Sequence, residues 1–541
     1  MTASQTPGEP AEFDALFALA RREHRAGRLA EATAAYRKIL ALRPNVAEVH
    51  NHLGVALSQQ GKFDEAAARF EQAIALRTNY PEAHNKLGNL LRDQGKLDEA
   101  AARYQQALAL RPDYADAHNN LGIILARQSR LDQAAARFEQ AIALRPDYAT
   151  AHNNLGNVLQ SQGKFDEAVA RYEHALALRP NYADAHCNLG VVLRALGKLD
   201  EAAAHYTQAL VLRPDYPDAQ LGLAACYLVA GDYERGWPAY EGRLRRPGYL
   251  PQLSLPRWTG EPLAGHSLLL LADQGLGDTL QFVRYGRALK ERGARVVLAA
   301  PAALGWLLAR SADWHGPGRH KPDWDELFML GSGKELPRCD FYLPLLSAPG
   351  MLRTTASTIP CEVPYLWADP KLTAEWRAEL AGIDGFKIGI AWQGSRDYRW
   401  DRQRSIPLAH FAPLARLPGV RLVSLQKGFG SEQIATVDFP VLDLSGRLDE
   451  VAGPFMDTAA VIRSLDLVVS PDSVIAHLAG ALGAPVWLAL QFSAEWRWLL
   501  QRDDSPWYPT MRLFRQTTFG EWPDVFERMA NAVEARRSET A

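Results

Sequence analysis

SLLLLADQGLGDTLQFVRY, Ser267 to Tyr285, is where the chain changes character. The apolar SLLLLA reads as a buried strand, the two glycines and the aspartate as a turn, and the run from Thr279 as a helix. Gly275 and Gly277 are expected to let the backbone turn tightly and approach a ligand, with Asp278 at the helix start, at the mouth of a cleft. Leu280 stands where a dinucleotide fingerprint has its third glycine, which disfavours NAD or FAD. An aspartate in that place is equally an ordinary helix cap.

What precedes this stretch is a repeat of 34 residues. Gly27, Gly61, Gly95, Gly163, Gly197 and Gly231 share one register, with Ser129 in the missing place. Leu-Gly pairs recur from Leu53-Gly54 to Leu189-Gly190. Ala32, Ala66, Ala100, Ala134, Ala168 and Ala202 each precede an aromatic by four residues, and Pro44, Pro112, Pro146, Pro180 and Pro214 close the units. The pattern resembles the tetratricopeptide repeat over about residues 13–241, with six full units and a degenerate seventh. Such units stack into an all-α solenoid with a concave binding surface. His50, His84, His118, His152 and His186 recur at the same period. Equivalent helices lie about 10 Å apart, too far to share a metal at about 2 Å, so a packing role is expected. Asn120, Asn154 and Asn188 form a partial ladder, with His52 and Lys86 in the same place earlier. A carboxamide can donate to and accept from an extended peptide, whereas drift of the repeat on a solvated face is the plain alternative.

Residues 242–262, rich in proline, read as a linker or an extended segment wrapping the junction. Strands then alternate with helices in two blocks, 263–370 and 371–541. RVVLAA, FYLPL, KIGIAW, VRLVSLQ, VLDLS, DLVVS and PVWLAL follow the first strand. Alternation of this kind argues for two parallel sheets with ligands outside the carboxyl ends of the strands.

In the second block, SPDSVIAHLAGALGAPVW, Ser470 to Trp487, places Asp472 and Ser473 at a strand end and His477 one turn into a helix. The unpaired N–H groups of that helix suit a phosphate. Together with GLGD, this motif resembles the heptosyltransferase type of glycosyltransferase. The match is better still to a bacterial group joining tetratricopeptide repeats to such a domain, in a layout like that of O-GlcNAc transferase. DRQRSIPL (Asp401–Leu408), SLQKG (Ser424–Gly428) and DSPWYPTMRLFRQ (Asp504–Gln516) carry that likeness. The resemblance implies a GT-B arrangement of two Rossmann-like halves, the acceptor side first and the nucleotide-sugar side second. It implies a metal-independent transfer, usually inverting, with no cofactor beyond the nucleotide-diphosphate sugar. It also implies Asp278 as general base and a donor site containing Gly275, Gly277, Arg404, Lys427, Asp472, Ser473 and His477. An asparagine ladder holding a peptide acceptor would correspond to Asn120, Asn154 and Asn188. The chain departs from the heptosyltransferase pattern at Ile406, where that family has tryptophan, and at Val474, where it has glycine.

A net charge of -2 and the lack of any charged block disfavour nucleic acid and anionic membrane as partners. The start MTASQTPGEPAEF is unlike a secretory signal, and no apolar run approaches the roughly 18 residues of a membrane span. Four scattered cysteines suit a reducing cytosol, and a cytoplasmic setting is expected. DWD (Asp323–Asp325) reads as surface, GSGKE as no phosphate loop, and EWRWLL (Glu495–Leu500) as core. The leading expectation is a glycosyltransferase whose repeats present a protein acceptor. The alternatives are a glycan or lipid-linked acceptor, and a non-catalytic scaffold.

Overall fold

The computed structural model describes residues 9–540 apart from 247, 252, 314–321, 395–403, 494 and 501. Of the DRQRSIPL segment, residues 401–403 lie outside the described residues. The chain divides into two compact units, Met1–Val192 and Leu193–Ala541.

The first unit is built of antiparallel helix pairs, such as Ala47–Gln59 with Phe63–Leu76 and Ala149–Ser161 with Phe165–Leu178. The periodic glycines explain the turns: Gly61, Gly95 and Gly163 end their helices at φ of 75°, 78° and 76°. Ser129 takes the same left-handed conformation at φ 59°. The glycine of each Leu-Gly pair has another task. A Cβ on Gly54 would sit 2.8 Å from the Phe70 ring, and one on Gly88 2.6 Å from the Tyr104 ring. Aromatic and glycine thus interlock to bring paired helices together. A feature not expected is the arginine before each closing proline. Arg111, Arg145 and Arg179 stack over Tyr114, Tyr148 and Tyr182 at 4.5–5.0 Å.

The second unit begins with the last repeat helices, Leu199–Leu212, Pro217–Val229 and Tyr233–Tyr240, and continues into two sheets. The first contains β1 (Ser267–Leu271), β2 (Arg295–Pro301), β3 (Glu326–Leu330) and β4 (Phe341–Pro344) in the order β3-β2-β1-β4. The second contains β5 (Phe386–Ile390), β6 (Val420–Ser424), β7 (Val441–Leu442), β8 (Leu467–Pro471), β9 (Val486–Leu490) and β10 (Met511–Arg515). Its order is β10-β9-β8-β5-β6-β7, the doubly wound arrangement. All strand pairings in both sheets are parallel. β8 and β9 are buried along their whole length, as continuous apolar runs in a parallel sheet require.

Three segments differ from expectation. β3 and β10 were not anticipated as strands, because ELFML and MRLFR are edge strands that are not buried along their whole length. The DWD stretch is not surface. Asp323 and Trp324 are buried, Asp323 meets Arg287 at 3.2 Å, and Lys290 meets Asp325 at 2.8 Å. The proline-rich 242–262 segment takes the second of its two readings, an extended segment packed on the fold. Trp258 is buried, its N–H donates to Tyr342 O at 2.9 Å, and Leu250, Leu253 and Leu255 pack on the apolar face of β1 and β2.

Candidate functional site

In open α/β sheets a ligand binds outside the strand ends, at the point where strand order reverses. In the first sheet that point lies between β1 and β4, and the protein fills it itself. The short turn of helix Glu241–Arg245 inserts Arg243, whose side chain is 1% exposed, against the fully buried Asp273 at 3.1 Å. Asp273 also accepts from Leu346 N at 3.1 Å and Tyr249 Oη at 3.2 Å, and Arg243 donates to Ser347 Oγ at 2.7 Å. In the second sheet the reversal lies between β5 and β8. There a cavity of about 1030 Å³ opens, bounded by Gln393 and Gly394 after β5 and by Asp472 and Ser473 after β8.

Gly275, Gly277, Asp278, Arg404, Lys427, Asp472, Ser473 and His477 all line this one cavity. Gly277 and Asp278 belong to the helix Leu276–Phe282, Gly275 stands at its N-cap, and the others come from the second half.

The glycines act otherwise than expected. Gly275 has φ -65° and ψ 171°, an ordinary extended conformation, so the turn does not demand glycine. A Cβ on Gly277 would lie 2.8 Å from His477 Cδ2. What needs the missing side chain is contact between Leu276–Phe282 and the helix Val474–Ala481, one from each half. Asp278 caps its own helix, accepting from Gly275 N at 3.1 Å, and its other oxygen pairs with Arg497.

The opposite wall is the start of Val474–Ala481. Its first-turn N–H groups have no intrahelical partners, and Ser473 does not cap them, because its hydroxyl meets Ser470 Oγ at 2.8 Å. His477 is buried, with Nδ1 3.0 Å from Tyr508 Oη and Nε2 3.4 Å from Asp472 Oδ1. Trp498 Nε1 donates to Asp472 Oδ2 at 3.0 Å. Burial would raise the Asp472 pKa, but the hydrogen bond and charge of His477, then Arg497 and the Trp498 indole, hold it below the usual carboxylate range. Arg404 Nη1 donates to Asp472 O at 3.1 Å. Lys427 Nζ donates to Leu448 O at 2.6 Å and pairs with Glu450 at 2.8 Å.

Glu495 and Arg497 also line the cavity, and sequence reasoning missed them by reading EWRWLL as core. The tryptophans are core: Trp496 is 6% exposed and Trp498 fully buried. Arg497 between them and Glu495 before them line the cavity, together with Trp496. Arg497 Nη1 donates to Glu495 Oε1 at 2.6 Å and Nε to Gln281 Oε1 at 2.8 Å. Burial pushes the Glu495 carboxyl up, Arg497 opposes, and the charges of Asp472 and Asp278 push it further. The sequence signal was the charge alternation in Glu-Trp-Arg-Trp just after a strand that ends at the cleft.

In the repeats, the asparagine ladder exists but is turned partly inward. Asn120 Nδ2 donates to Asn85 Oδ1 at 3.1 Å and Asn89 Oδ1 at 3.0 Å. Asn154 and Asn188 donate to Asn119 and Asn153, each at 3.0 Å. The Oδ1 atoms of Asn120, Asn154 and Asn188 remain as acceptors, so the amides are not the fully open donor–acceptor pairs that the spacing suggested. The histidines cap turns: Nε2 of His50, His118, His152 and His186 lies 2.8–3.1 Å from the carbonyl of the proline six residues earlier. Among the described residues, no three His, Cys, Asp or Glu side chains form a group able to hold a metal. Among them, too, no helix is long and apolar enough to cross a membrane.

Family models described as TPR repeat match residues 56–91, 88–129 and 124–163, and models described as tetratricopeptide repeat match 147–215 and 187–246. The amino-terminal half is therefore a tetratricopeptide-repeat array, followed by an α/β region of parallel sheets. Protein FlbA of Caulobacter vibrioides is 28% identical over 329 residues, covering 57% of this chain and 54% of FlbA. The match thus spans about half the length of that relative. Among solved structures, PilF of Pseudomonas aeruginosa is 21% identical, covering 39% of this chain and 97% of its own, with a TM-score of 0.37. YrrB, titled a TPR protein with an unusual peptide-binding site, is 23% identical, covering 35% and 97%, with a TM-score of 0.30. MamA is 27% identical, covering 30% and 95%, with a TM-score of 0.28.

Proposed function

We propose that the α/β region is a glycosyltransferase using a nucleotide-diphosphate sugar without a divalent metal, with inversion, and that the repeats present a protein acceptor. The observation that supports it is the shared cavity. Its lining offers a helix start with Arg404 and Lys427, and also the carboxylates of Asp278 and Glu495. Breaking an anomeric carbon–diphosphate bond puts negative charge on the leaving group and positive charge on carbon. Cations and helix N–H groups suit the first, and a carboxylate suits the acceptor's proton. The first half's switch point is occupied by Arg243 and Asp273, which favours the second half as the nucleotide side. A cytoplasmic setting goes with this reading.

Thermal melting against a panel of UDP, GDP and ADP sugars, with and without chelator, tests it, since a ligand that binds only the folded state raises the midpoint. Arg404→Ala is expected to weaken donor binding by about 1.5–3 kcal/mol, the range for a hydrogen bond to a charged group. Binding that requires magnesium, or unchanged affinity in that variant, contradicts the respective part. For the acceptor, replacing Asn120, Asn154 and Asn188 by alanine is expected to spare donor hydrolysis and reduce transfer. The same melting scan reports the loss of the inter-repeat bonds.

One observation favours a non-catalytic scaffold: both carboxylate oxygens of Asp278 are already engaged, by Gly275 N and by Arg497. Tetratricopeptide repeats alone imply protein interaction. Absence of any nucleotide-sugar binding by the intact chain selects that reading.

A further inference from the structure

We propose that Glu495, rather than Asp278, takes the proton of the acceptor hydroxyl; this rests on the glycosyltransferase reading above. Both residues line the cavity. Asp278 has structural tasks on both oxygens, closing the turn through Gly275 N at 3.1 Å and joining the two halves through Arg497. Glu495 stands in the loop after β9 and receives Arg497 N at 2.9 Å and Arg497 Nη1 at 2.6 Å on its two oxygens. Both carboxylates are thus bonded on both oxygens, but Glu495 bonds only within its own loop, and 29% of its side chain is exposed against 21% for Asp278.

Arg497 is fixed in place. Its Nε donates to Gln281 Oε1 at 2.8 Å, and its guanidinium lies 4.4 Å over the Trp496 ring. One guanidinium therefore serves two carboxylates, with Asp472 as a third close by. Asp472 has His477 as well, whereas Glu495 and Asp278 share Arg497 in a partly buried site, so the less favourably placed of the two holds its proton more tightly. The groups facing Glu495 are Arg497, Asp472 and Asp278, with Tyr240, Arg515 and Arg194 at longer range. Asp472 is driven the other way by His477 and Trp498, whereas burial and the two neighbouring carboxylates bring Glu495 to about 7. Separated proton affinities of this kind divide roles among carboxylates, and a base works best with a pKa near the working pH.

In the step, the acceptor O–H passes its proton to a Glu495 oxygen. The acceptor oxygen's electron pair forms the bond to the anomeric carbon. The bond from that carbon to the diphosphate oxygen breaks with its pair, and the nucleoside diphosphate leaves as the anion. Arg497 is a positioning residue that aims Glu495 and ties it to the first half.

The test measures affinity for UDP-, GDP- and ADP-linked hexoses and hydrolysis of the donor that binds, from pH 5.5 to 8.5. It compares wild type, Glu495→Gln, Glu495→Asp and Asp278→Asn, with melting curves as a folding control. Glu495→Gln is expected to keep donor affinity within about threefold, lose about 100-fold or more in hydrolysis, and lose the rise of rate through neutral pH. Glu495→Asp keeps that rise at reduced rate, and Asp278→Asn keeps it with its midpoint moved to lower pH, because one of the charges that raise Glu495 is gone. A pH-dependent limb that survives Glu495→Gln, or that disappears in Asp278→Asn, overturns the assignment while leaving the glycosyltransferase reading intact. No donor binding by wild type overturns both.

Discussion

Gly277→Ala probes the contact that joins the two halves of the α/β region. The new methyl would stand 2.8 Å from His477 Cδ2, about 1 Å inside an ordinary carbon–carbon contact of roughly 3.5–4.0 Å. The imidazole cannot swing aside cheaply. It is 5% exposed, its Nδ1 is 3.0 Å from Tyr508 Oη, and its Nε2 is 3.4 Å from Asp472. Overpacking of this kind costs about 1–3 kcal/mol. Against it stands the helix preference for alanine over glycine, at most about 1 kcal/mol. The single variant is therefore expected to be less stable than wild type by about 0–3 kcal/mol. In a His477→Ala background the obstruction is gone, and the same substitution should stabilise by up to about 1 kcal/mol. Urea unfolding of the four proteins, followed by tryptophan fluorescence, closes the cycle, with an expected coupling of about 1–3 kcal/mol. Additive effects, with no change of sign between backgrounds, would refute the claim that glycine is there for His477.

Ser129→Gly should stabilise the repeats by about 0.5–1 kcal/mol, because a left-handed residue other than glycine costs about 1–2 kcal/mol and glycine's extra unfolded freedom takes part of that back; a Tm unchanged or lowered contradicts it. His50, His84, His118 and His152 are pushed below the usual histidine range by burial. The unfolded chain therefore binds more protons than the fold as pH drops through about 6.5, so the stability of the first unit is complete above that pH and declines below it. Denaturant midpoints at pH 7.5 and 5.5 should show the loss, and changing these histidines to glutamine should flatten it. Arg243→Met leaves Asp273 buried without its cation and should cost about 3–5 kcal/mol, whereas pairing it with Asp273→Leu should recover much of that; equal destabilisation by single and double variants argues against the ion pair.

The repeat array was legible in the sequence because each unit meets nearly the same neighbours. A local pattern of glycine, alanine, aromatic and proline states the packing of helix on helix, and Gly54 against Phe70 is the literal contact. β8 and β9 were legible for a similar reason, since burial on both faces leaves unbroken apolar runs. Asp278, Asp472 and His477 were singled out by the likeness of their turns and helix starts to glycosyltransferase motifs, and the structure places them on one cavity. What they do depends on partners 26 to 219 positions away, which no local pattern encodes. Trp498 lies that nearer distance from Asp472, and Arg497 the farther from Asp278. Gly277 read as freedom for a ligand and is instead room for His477. Arg243 read as part of a linker and is instead a buried cation at a sheet's switch point. Glu495 read as part of a core segment and stands on the cavity wall, held by Arg497, whose own place depends on Gln281 and Asp278 in the other half.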